Sequence, residues 1–151
     1  KAISNYKKSL ELYPKGIMAH QNLAVVYGIK QEYEKAINEY QEIINLSPNN
    51  AEGYFGLANS YMMISKFDLA TKNAEKAIKI YKTNNSHYLN EGYYLLGLIY
   101  YYSGNTEKAK ENLLLAKEKG ANIDPKIEKE LFSNKSNYEN IQLITKEDFD
   151  N

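Results

Sequence analysis

Two prolines, Pro14 and Pro48, stand 34 residues apart, and the residues after each agree at matching offsets: Leu23-Ala24 with Leu57-Ala58, Tyr27 with Tyr61, Ala36 with Ala70. A chain that repeats itself at such a period is a row of like units, each too small to bury its own apolar face and each needing a neighbour. Within the first unit, apolar and small residues recur at helical spacing through Ile17, Leu23, Ala24 and Tyr27, then again through Tyr33, Ala36, Ile37, Tyr40, Ile43 and Ile44. The Lys30-Gln31-Glu32 stretch is the turn between two helices. Pro48 cannot continue the second helix, so a new one starts near Ala51.

Small residues explain how each helical hairpin closes. Ala24, Ala58 and Gly97 hold matching places on the first helices, and Ala36, Ala70 and Ala109 on the second. Backbones approach there as larger side chains would forbid, and Tyr27, Tyr61 and Tyr100 fill the adjacent space with a ring whose hydroxyl can reach a polar partner.

With these residues the sequence resembles a tetratricopeptide repeat array. Residues 17–50 match the pattern at His20, Leu23-Ala24, Tyr27, Ala36, Tyr40 and Pro48, and residues 51–89 at Tyr54, Leu57-Ala58, Tyr61, Ala70 and Ala77. Residues 90–123 match at Tyr93, Leu96-Gly97, Tyr100, Ala109, Leu113 and Ala116. The resemblance implies an all-α fold, a right-handed α-solenoid of stacked helix-turn-helix repeats. Residues 1–16, with Ala2, Tyr6 and Pro14, fit the second helix of a truncated repeat, and the array then runs as one domain over 1–123. Ile43 and Ser9 replace a usual alanine, and Lys82 replaces the expected proline. The third unit opens five residues late, so Lys82 to Leu89 is expected to bulge as a loop. Asp124-Pro125 is a helix start, which makes residues 124–133 a capping helix; residues 134–151 read as a tail with a short extended segment at Ile141 to Ile144.

Nothing in the sequence assembles a catalytic constellation, so the expectation is a non-enzymatic chain with no cofactor and no metal. The chain has no cysteine, which excludes disulfides and thiolate metal sites. His20 occupies a core-facing place and His87 a loop without ligand spacing, while Gly53 and Gly56 lie inside a helix rather than in a phosphate loop. All basic residues are lysine and the net charge is zero, which argues against the basic footprint of a nucleic-acid reader. No apolar run reaches the roughly 20 residues of a membrane helix. The composition leaves the compartment open, with the cytoplasm favoured.

What remains is a surface. In arrays of this type the first helices line a concave groove, and the resemblance places there Met18, Gln21, Val25 and Ile29, then Phe55, Asn59, Met62 and Met63, then Tyr94, Leu98, Tyr101 and Tyr102. Packing against neighbouring first helices is the plainer role for any one of them. One subset of the family holds a C-terminal carboxylate with lysine, arginine and asparagine, but the corresponding places here carry Gln21, Val25, Gly56, Glu91 and Leu95. The implied partner is therefore a peptide or amphipathic helix of another protein, bound by apolar contacts. Lys72, Lys76 and Lys79 align on an outward face, as a solvated stripe or as a dock for an acidic partner. Competing readings are a module that self-associates, with Ala2, Ile3, Tyr6 and Leu10 as a sticky N-terminal edge forming a homodimer, and, further off, an RNA-binding helical repeat. The acidic tail is also expected to compete for the chain's own surface. The close approach at Ala36 and Ala70 carries a test: leucine at either position overpacks the hairpin and lowers the unfolding free energy in urea by about 1–3 kcal/mol.

Overall fold

The computed structural model describes residues 1–13 and 15–133, and these are all-α. The helices run in order α1 (Ala2–Leu12), α2 (Ile17–Ile29), α3 (Tyr33–Leu46), α4 (Ala51–Met63), α5 (Phe67–Thr83), α6 (Leu89–Tyr102), α7 (Thr106–Glu118) and α8 (Pro125–Phe132). They form two compact units, one over Lys1–His87 and one beginning at Tyr88. The division between them falls just before α6. The expectations for residues 134–151 lie outside the described residues.

In the first unit each helix packs on its successor from α1 to α5, and the two first helices α2 and α4 also approach one another. The helix starts follow local chemistry. Asn50 caps α4, its Oδ1 accepting from the Gly53 amide at 2.7 Å, because four amides at a helix start lack intrahelical acceptors. The helix ends repeat one device. At the α2–α3 turn Gln31 takes φ 60°, the Gln31 amide donates to Gly28 and the Glu32 amide to Tyr27. Ser65 (φ 58°) and Gly104 (φ 82°) sit at the same point of the α4–α5 and α6–α7 turns, with Lys66 donating to Tyr61 and Asn105 to Tyr100. This paired cap satisfies carbonyls that would otherwise be orphaned. Glu32 closes the first turn further by pairing with Lys30 at 2.8 Å and with Lys35. The hydrogen bonds from those two lysines hold its carboxyl down at about 2.

The loop expected after Lys82 is shorter than the repeat spacing implies, since α5 continues through Lys82 and Thr83. It has 17 residues where α3 has 14. Without a proline at position 82 the backbone amide remains available and no ring clashes with the preceding turn, so the extra residues mostly lengthen the helix.

Ala24, Ala36, Ala58, Ala70 and Ala109 have no exposed surface, as close helix approach requires. Ile3, Tyr6 and Leu10 of α1 are half-buried against Leu23, Tyr27 and Ala36, while Ala2 is exposed. Two glycines complete the contacts. A Cβ on Gly56 would collide with the Tyr40 ring, so that ring lies directly on the α4 backbone; a Cβ on Gly97 would stand 2.7 Å from Leu113 Cγ. Burial beneath this contact raises the Tyr40 hydroxyl above its ordinary value. Gly28 differs, since its Cβ would meet nothing within 4 Å. Urea unfolding separates the two cases. Gly56→Ala loses about 1–3 kcal/mol as Tyr40 is displaced, and Gly28→Ala gains about 0.5–1 kcal/mol from reduced chain entropy.

Candidate peptide-binding face

The twelve residues assigned to the groove divide between the units, eight in the first and four in the second. On α2, Met18, Val25 and Ile29 are exposed, at 76%, 47% and 77%, with Gln21 half-buried among them. Their spacing keeps them on one helix face while Leu23, Ala24 and Tyr27 enter the core. On α4, Asn59 is exposed, Met63 is half exposed at 50%, and Phe55 is half-buried. Met62 is a correction. Its side chain is 9% exposed and belongs to the core, because one residue along a helix turns the side chain by about 100°.

Val25, Ile29, Asn59 and Met63 line a hollow of about 350 Å³. Tyr33 and Gly28 line it too, and the sequence pattern points to neither. Tyr33 opens α3 and reads as a core position; Gly28 matters for the side chain it lacks, since the empty space above it keeps the hollow open.

In the second unit the expectation changes more. Tyr94, Leu98 and Tyr101 are half-buried and pack against Ala109, Leu113, Ile123, Ile127 and Leu131. The last two come from α8, so the chain's own helix takes up much of the apolar surface that was expected to be open. Tyr101 is fixed by a hydrogen bond from its hydroxyl to Glu130 Oε2 at 2.7 Å. Tyr102 alone of these four is exposed, its ring edge-on to Tyr101 at 5.2 Å. The start of α8 is the expected one, with Asp124 accepting from the Lys126 amide at 2.8 Å.

His20 is buried as expected and acquires a partner that sequence distance hid: its Nδ1 lies 2.7 Å from Glu39 Oε2 on α3. Lys72, Lys76 and Lys79 are exposed along α5. Among the described residues no three or more histidine, aspartate and glutamate side chains gather as a metal-binding group. No helix there is long and apolar enough to cross a membrane.

The hairpins, their small-residue contacts and the aromatic positions define a class, and comparison with known proteins gives it a name. Models of the tetratricopeptide repeat match residues 5–38, 29–65 and 91–118. The chain belongs to the tetratricopeptide repeat family. It is 38% identical over 81 residues to the small glutamine-rich tetratricopeptide repeat-containing protein 2 of Saccharomyces cerevisiae, covering 54% of this chain and 22% of that one. It is 31% identical over 116 residues to response regulator aspartate phosphatase E of Bacillus subtilis, covering 71% and 31%. The chain thus spans less than a third of the length of these curated relatives. Among solved structures, that of MamA superposes with a TM-score of 0.70 at 26% identity, over 78% of this chain and 66% of that one. The N-terminal domain of stress-induced protein-1 from C. elegans shares the fold, with a TM-score of 0.65 at 19% identity over 78% and 92%.

The Tyr101 contact carries a test. Its neutral O–H donates to the Glu130 carboxylate, which raises the hydroxyl above its ordinary value, so the contact holds through neutral pH and is lost as pH rises past the tyrosine range near about 10. Tyr101→Phe should quicken amide exchange across α8 about threefold at neutral pH. The amides of the first unit should be unchanged.

Proposed function

We propose that this chain is a protein-interaction module whose first unit binds an apolar peptide or amphipathic helix along α2 and α4. The observation that carries the reading is the exposed trio Val25, Ile29 and Met63 around a hollow of about 350 Å³, with Met18 exposed further along α2. Unbranched methionines adapt their shape to a partner, and an exposed cluster of this kind gains from being covered. Gln21 and Asn59 supply amides that bond a peptide backbone without demanding charge.

The family's use of repeats as interaction scaffolds supports the same assignment. Val25 stands where a carboxylate-holding polar residue would, and Gly56 lies beneath Tyr40, so apolar side chains rather than a terminal carboxylate make the contact. Of the four groove residues in the second unit Tyr102 is exposed, and Tyr94, Leu98 and Tyr101 act chiefly in packing.

Selection of a displayed random-peptide library on the intact chain tests this. Enriched sequences should carry apolar residues at helical or alternating spacing. Ile29→Asp with Met63→Asp should weaken the selected peptides by more than about tenfold, as expected for loss of central apolar contacts, while far-ultraviolet dichroism is unchanged. If no peptide is enriched and the same pair instead turns a dimer into a monomer in sedimentation, self-association replaces peptide binding.

A further inference from the structure

A second face of the first unit is built differently. The outer side of α5 and the start of α4 enclose a hollow of about 460 Å³ lined by Tyr54, Lys72, Asn73, Lys76 and Lys79, with Glu75 the one carboxylate among them. It adjoins a smaller hollow of about 210 Å³ that shares Lys76 and Lys79 and reaches Asn49. Tyr54 is held in place by its hydroxyl, which donates to the Pro48 carbonyl at 3.0 Å, and Lys76 Nζ stands 5.8 Å from the centre of its ring.

Among the described residues four lysines outside this row are held in ion pairs. Lys30 and Lys35 pair with Glu32, Lys110 with Glu107 and Lys117 with Glu128. Among the described residues no ion pair engages Lys72, Lys76 or Lys79. Like charges four apart on a helix repel, as Lys72 and Lys76 do, while Asp68 and Glu75 stand four residues before Lys72 and Lys79 and offset part of that repulsion. An anionic ligand would turn that repulsion into attraction.

We infer that this cleft docks an extended acidic peptide segment with carboxylates at alternate positions. Successive turns of α5 place Lys72 and Lys76 about 6 Å apart along the axis. Alternate residues of an extended strand lie about 7 Å apart, which flexible lysine stems accommodate. The hollow is long enough along α5 for a single strand to meet the lysines in turn. The neutral chain, with no arginine, lacks the wide basic footprint that a phosphate backbone needs.

The test uses the full chain and a fluorescein-labelled peptide alternating glutamate with serine, read by polarisation at physiological salt. A peptide alternating glutamine with serine is the reference. Submillimolar binding of the acidic peptide alone is expected, weakened about tenfold by Lys72→Gln with Lys76→Gln. Lys8→Gln with Lys129→Gln removes the same charge from exposed helix surfaces and should leave binding as it was. Equal weakening by both pairs, or no binding below millimolar peptide, overturns the proposal. So does tighter binding, with the same lysine dependence, to a thymidine oligonucleotide or to vesicles of one part phosphatidylserine to three parts phosphatidylcholine.

Discussion

Where Ala24, Ala36, Ala58, Ala70 and Ala109 are wholly buried, nothing larger than a methyl group holds neighbouring helices apart. The rest of each unit is arranged around that closeness. It fixes the rotation of α2, so that Leu23, Ala24 and Tyr27 point inward and Val25 and Ile29 must point out. It also brings the carbonyls of Tyr27, Tyr61 and Tyr100 to where the turn amides can reach them. An exposed apolar row is thus a by-product of core geometry before it is a binding surface. The same rigidity makes it useful, because a preformed row loses little freedom when a partner covers it.

Much of this was legible in the residues. The turn at Lys30-Gln31-Glu32, the start of α4 at Ala51 and the Asp124-Pro125 helix start are local events, decided by propensity and capping within a few positions. Periodicity also told inside from outside for the alanines. It could not say what another element lays over a helix face. Tyr101 meets Glu130 across 29 residues, and His20 meets Glu39 across 19, separations at which a helical pattern carries no information. Met62 and Met63 are the same residue type and adjacent in sequence, and the turn of about 100° between them sends one to the core and the other to the surface.

The first unit carries two surfaces of opposite chemistry. Apolar burial along α2 and α4 is non-directional and resistant to salt. The ammonium row on α5 acts over a distance of about 8–10 Å in physiological salt and weakens as salt rises. One sequence supports both because α2 and α4 present first-helix positions and α5 presents the outer positions of a second helix.

Two of the buried glycines, Gly56 and Gly97, sit at different kinds of junction. Gly97 on α6 lies against Leu113 on α7, inside one hairpin, whereas Gly56 on α4 lies beneath Tyr40 on α3, between one hairpin and the next. In a one-dimensional row of repeats, the first contact sets the energy of a single site and the second sets the coupling between sites. Weakening the site energy lowers the midpoint of melting, while weakening the coupling broadens it. Tyr40 against Gly56, together with Ile43 and Ile44 against Gly53, therefore bears on the sharpness of the first unit's transition.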